Sequence, residues 1–70
     1  MTEYPKISLA AARVNAGFSQ KEGAKRLGIT PETLRSYEQG GTSPTMEMVE
    51  KIESIYKFPA ALINFGKVSV

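Results

Sequence analysis

Between residues 20 and 39 the chain concentrates its hydrogen-bonding side chains: Gln20, Thr30, Glu32, Thr33, Arg35, Ser36 and Gln39. Hydroxyls and amides both donate and accept, a carboxylate accepts, and an arginine donates as a planar fork. What is missing narrows the chemistry further. The 70 residues include no histidine and no cysteine, so there is no imidazole base, no thiolate nucleophile, no disulfide and no ordinary zinc ligand set. No glycine-rich phosphate loop follows a strand, and no carboxylates stand at metal-ligand spacing. The chemistry left is recognition through hydrogen bonds. No enzymatic activity, cofactor, metal or small-molecule ligand is expected.

Two short helices would position these groups. Ser19 suits an N-cap, with Glu22 three residues on as a capping box. The first helix then spans residues 20–27 and ends at Gly28, a residue free to turn left-handed. Thr30 caps a second helix over residues 31–38, with Pro31 in its first turn, where a missing N–H costs little. Ala24 is small enough for the two helices to cross closely. Leu34 and Tyr37 should face inward, and Glu32, Thr33, Ser36 and Gln39 outward.

Ala24, Gly28 and Leu34 stand where a helix-turn-helix needs a small residue, a turn glycine and an apolar residue. The run GFSQ…A…LGIT…L…YEQG, with Arg13 upstream, resembles the phage-repressor and Cro-like (Xre-type) helix-turn-helix family over residues 7–65. That resemblance implies an all-α fold, a compact five-helix bundle with helices 2 and 3 forming the motif. It also implies a sequence-specific regulator of double-stranded DNA, a repressor or Cro-like protein binding a palindromic operator as a homodimer. The second helix of such a motif enters the major groove. Thr30, Glu32, Thr33 and Ser36 face outward there, and the resemblance places base contact at Pro31, Glu32, Thr33 and Ser36. Many relatives carry glutamine at positions 31 and 32, so their target sequence does not transfer. The family uses a glutamine at position 20 to meet a phosphate. Lys21, Arg35, Gln39, Thr42 and Ser43 are the other phosphate candidates. Arg13, read alone, is equally well a solvated surface arginine; the resemblance pairs it with Glu38 as a structural tie. Gly23 replaces the family's usual large apolar residue; either Phe18 or a C-terminal side chain fills the space, or the domain is less stable than its relatives.

The remaining chain supports this unit. Residues 1–6 read as a lead and residues 7–16 as a first helix, with Ile7, Leu9, Ala12 and Ala16 on its inner side. Gly17 ends it, and Phe18 is expected at the centre of the core. Residues 40–44 form a loop. A fourth helix starts at a cap, Ser43 or Thr45, and runs to Tyr56. Its apolar stripe is Met46, Val49, Ile52 and Ile55 or Tyr56, with Glu47, Glu50 and Glu53 opposite. A fifth helix is expected from residue 59 to 64 or 65, with Leu62 and Phe65 inward. In the tail, residues 66–70, Val68 and Val70 alternate as in a short strand, though a disordered end is the other reading. Leu62, Phe65, Val68 and Val70 are the candidate dimer surface; ordinary core plus a frayed end is an equal alternative.

The net charge of +2 is too small to indicate a partner. Its distribution says more, because the positive excess lies in residues 1–45. No signal peptide or membrane-spanning run is visible, which fits a cytoplasmic protein without membrane contact. The second functional class open to this sequence is a protein-interaction module on the same fold, such as an antitoxin.

Overall fold

The computed structural model describes residues 6–65. The elements are β1 (Ile7–Ser8), α1 (Leu9–Asn15), α2 (Gln20–Leu27), α3 (Pro31–Gln39), α4 (Met46–Tyr56), a 3-10 turn (Ala60–Leu62) and β2 (Ile63–Asn64). Most of the lead, residues 1–5, and the whole tail, with Val68 and Val70, lie outside the described residues.

Each helix begins in the same way. Ser8, Ser19, Thr30 and Thr45 each accept a hydrogen bond from the backbone N–H three residues on, at 3.0, 3.0, 3.1 and 3.1 Å. A hydroxyl thus satisfies one donor that the first helical turn leaves without a partner. Glu22 does not complete a capping box, because its carboxylate turns to Arg26 Nε at 2.8 Å instead. Two helices end on a left-handed glycine, Gly28 at φ 76° and Gly40 at φ 82°. The end of α4 falls on Lys57, whose φ of 54° is unusual for a residue with a Cβ.

The helices enclose a core of Leu9, Ala12, Ala24, Leu27, Leu34, Ile52, Tyr56 and Ile63. Ala24 is 1% exposed where α2 crosses its neighbours. Phe18 does not occupy the centre. The turn at Gly17, with φ of 87°, leaves Phe18 half-buried at the rim. Its ring lies 5.9 Å from that of Tyr56, and the Arg26 guanidinium stacks over it at 5.3 Å. On α4, Val49, Ile52 and Tyr56 are buried, whereas Met46 is 51% exposed. Met46 belongs to the first turn of α4, beside the groove that it lines with Ala60 and Phe65.

Among the described residues there are four α-helices, and the expected fifth is replaced by a 3-10 turn and a strand. A helix of six or seven residues gains little by itself, and here the backbone of Ile63 and Asn64 is used for pairing with β1 instead. Here the Glu53 carboxylate accepts the Ala60 N–H at 2.7 Å and pins the turn to α4. The chain then extends, burying Ile63 and exposing Asn64, and pairs in parallel with β1: Ile7 opposite Ile63 and Ser8 opposite Asn64. The first helix is shortened for the same reason, since Ile7 and Ser8 serve the sheet.

Tyr56 is 3% exposed, and its hydroxyl is buried without a hydrogen-bond partner among the described residues. Burial, reinforced by the Glu38 carboxylate, pushes its pKa from 10.0 up to about 12. Because the folded state holds this proton more tightly than the unfolded chain, stability is full below pH 10 and falls as pH rises toward about 12. Tyr56→Phe is expected to gain roughly 1 kcal/mol at neutral pH by removing an unsatisfied group. It should also lose this component of the alkaline fall. Denaturant titrations of both proteins at pH about 9 and about 11 check it; equal slopes with pH would refute the assignment.

Candidate nucleic-acid interface

α2 and α3 are joined by the turn Gly28, Ile29 and Thr30. Ile29 packs against the core, and its N–H reaches the Ala24 carbonyl at 3.0 Å, which fixes the angle between the helices. Lys51, which the sequence did not single out, reaches from α4 toward this turn: a Cβ on Gly28 would lie 3.2 Å from its Nζ. A cation there complements the carbonyl end of α2. Only the spatial approach of α4 reveals it.

Leu34 anchors the inner face of α3 at 0% exposure. Thr30, Pro31, Glu32, Arg35 and Gln39 are exposed, and Thr33, Ser36 and Tyr37 are half-buried. The hydroxyls do not stand singly. Thr30 Oγ1 and Thr33 Oγ1 lie 2.8 Å apart, and Ser36 Oγ meets Thr42 Oγ1 at 2.7 Å. Each pair shares one hydroxyl hydrogen and keeps one for an outside acceptor. Thr42 is exposed and Ser43 half-buried, while Pro44 is fully buried and roots the loop.

The structure brings Arg13, Gln20 and Glu38 together. Arg13 Nε and Nη2 donate to Glu38 at 2.7 and 3.4 Å, and Arg13 Nη1 donates to the Phe18 carbonyl at 2.8 Å. Gln20 Nε2 donates to Glu38 Oε1 at 3.0 Å. The two ionic side chains are 13% and 6% exposed. One carboxylate therefore clasps the ends of α1 and α3 to the start of α2. Gln20 is half-buried and holds Glu38, so one amide N–H is committed within the protein. Lys21 is exposed beside it.

Gly23 fits this arrangement. A Cβ there would lie 3.0 Å from Arg13 Cδ, 3.1 Å from the Tyr56 hydroxyl and 3.3 Å from Leu34 Cδ2. The space left by the missing side chain is filled by these three groups rather than by Phe18 or a C-terminal residue. Arg26, at the other end of α2, is tied to Glu22 in an i,i+4 pair. That bond holds the Glu22 carboxyl below the usual carboxylate range.

The exposed side of α4 carries Glu47, Glu50 and Glu53, which sets an acidic surface apart from α3. No helix among the described residues is long and apolar enough to cross a membrane.

Comparison with known proteins agrees with this geometry. Residues 9–63 match the family model described as "Helix-turn-helix". Over 49 residues the chain is 39% identical to the cryptic phage CTXphi transcriptional repressor RstR of Vibrio cholerae. The matched stretch covers 70% of this chain and 44% of that protein, so the chain spans less than half the length of this relative. No solved structure gives a significant match. With the family model covering most of its length and the motif formed by α2 and α3, the chain belongs to the phage-repressor and Cro-like (Xre-type) helix-turn-helix family.

Proposed function

We propose that the protein is a non-enzymatic, DNA-binding transcriptional regulator that lays α3 in the major groove and binds a palindromic operator as a homodimer. One observation carries this reading: α3, tied to α1 and α2 through Glu38, leaves Pro31 and Glu32 exposed and Thr33 and Ser36 half-buried on the second helix of a helix-turn-helix. The major groove accepts a helix, and each base pair shows it a distinct donor and acceptor pattern. Hydroxyls meet either kind of group, and Glu32 accepts from cytosine N4. Thr30 caps the helix at the same edge. Arg35 and Gln39 on α3, with Lys21 on α2 and Thr42 and Ser43 in the loop after α3, meet phosphates, with Gln20 using the N–H that Glu38 leaves free. A single domain of this size reads few bases, so a pair of copies is required, with recognition helices about 34–36 Å apart. The C-terminal segment, with Leu62 and Phe65 half-buried, is the proposed dimer face. It borders a groove of about 330 Å³ of mixed polarity, lined by Met46, Val49, Ala60 and Ile63 together with Lys6 and Asn64.

Selection of bound sites from a random duplex library at two salt concentrations tests the reading. The expected result is a palindrome with half-sites about one helical turn apart. Gln20→Ala should weaken binding to all sequences alike, whereas Thr33→Ala should change which sequence is preferred. Binding without preference that fades steeply with salt would reduce the role to phosphate contact. Binding to no DNA at either salt would reject the regulator and favour a protein partner.

A further inference from the structure

The loop after α3 is docked on a residue of the reading face. Gly41 N donates to the Ser36 carbonyl at 2.9 Å, and Ser36 Oγ meets Thr42 Oγ1 at 2.7 Å. A Cβ on Gly41 would lie 3.0 Å from Ser36 Oγ, so glycine there leaves the room that the hydroxyl needs. Ser36 is half-buried and Thr42 is exposed. The loop therefore touches the reading face through a hydrogen bond whose direction is free in the unbound protein.

We infer that Thr42 is a positioning residue that sets the base preference of Ser36 by fixing the direction of this hydrogen bond. The inference rests on the major-groove reading of α3 proposed above. A hydroxyl has one hydrogen and two lone-pair sites, and a phosphate oxygen only accepts. When Thr42 meets a phosphate, its hydrogen goes to that oxygen. The hydrogen in the Thr42–Ser36 bond must then come from Ser36. Ser36 Oγ is left with lone pairs alone toward the groove. It becomes an acceptor and matches an exocyclic amino group, N6 of adenine or N4 of cytosine. Guanine O6 and N7 and thymine O4 are themselves acceptors and are rejected at that position. Backbone contact and base choice are thus coupled through two side chains.

The test compares selected sites for the parent with those for Ser36→Ala, Thr42→Val and Thr42→Ser. The position whose preference Ser36→Ala abolishes identifies the base that Ser36 meets. In the parent that base should be adenine or cytosine, by about fivefold. Thr42→Val removes the acceptor but keeps the shape, freeing the Ser36 hydrogen. Its selected sites should admit guanine and thymine at that one position, with preferences at other positions unchanged and an equal loss of affinity on all sequences from the missing phosphate contact. Thr42→Ser retains the relay and should restore the parental preference. Guanine or thymine favoured by the parent at that position would overturn the inference. So would a Thr42→Val protein that keeps the parental preference at that position and only loses affinity on every sequence alike, which would leave Thr42 as a plain phosphate contact. A parent that selects no sequence overturns the major-groove reading itself, and the relay falls with it.

Discussion

Glu38→Ala should cost about 3–5 kcal/mol of stability, lowering the melting temperature by roughly 12 °C or more. The carboxylate is 6% exposed and takes bonds from Arg13 and Gln20, which come from two other parts of the chain. Its removal leaves the guanidinium, 13% exposed, with the Phe18 carbonyl as its remaining partner. A charge stranded in this way costs more than the pair was worth, because its desolvation is no longer offset. The double variant Arg13→Met, Glu38→Leu removes both charges and should be more stable than Glu38→Ala alone. Denaturant titration of the parent, the single variants and the double variant measures the coupling directly. A cost under about 1 kcal/mol for Glu38→Ala would mean a solvent-screened surface bridge, and the clasp between α1, α2 and α3 would be misassigned.

Gly23→Leu should also destabilise the fold, by about 1–2 kcal/mol once the helix-propensity gain is set against overpacking. Leucine is the better helix former by close to 1 kcal/mol. That gain is outweighed because its Cβ alone would already press on Arg13, the Tyr56 hydroxyl and Leu34 at 3.0–3.3 Å. Overpacking of this kind costs about 1–3 kcal/mol, and any shift of Arg13 also strains its pair with Glu38. Gly23→Ala sets the same propensity gain against milder compression and should fall near zero or slightly below. In a Tyr56→Phe background the hydroxyl is gone, and Gly23→Ala should become a net gain. Chemical denaturation of these variants decides it. A Gly23→Leu protein as stable as the parent would show that the space beside Gly23 is open.

These two sites show which parts of the structure were legible in the sequence. The helix-turn-helix was readable because its signals are local: Ser19 and Thr30 at the caps, Gly28 at the turn, Pro31 in the first turn. The C-terminal strand was not. Residues 59–65 have helix-compatible composition, and only their register against Ile7 and Ser8, far away in the chain, makes them extended. The exposure of Met46 was hidden similarly, since helical spacing gives a stripe but not where the partner surface ends. Among the site residues, outward direction on α3 could be read from periodicity. The pairing of Ser36 with Thr42 could not, because it depends on how the loop folds back after Gly40. Gln20 shows a further limit: an amide that suits a phosphate suits a neighbouring carboxylate equally well.

The parallel pairing of β1 with β2 has a kinetic consequence. The four helices are built on near-neighbour contacts, which form quickly once each segment exists. The two-stranded sheet joins Ile7 and Ser8 to Ile63 and Asn64, so it closes nearly the whole domain into one loop and must form late. During synthesis, Leu9 and Ala12 wait for Ile63, a core partner made at the far end of the domain. A nascent chain stalled before Ile63 therefore carries α2 and α3 with their caps complete but α1 held at one end only. α3 and the groups that brace it are made early, and the closure that locks them waits for Ile63 and Asn64.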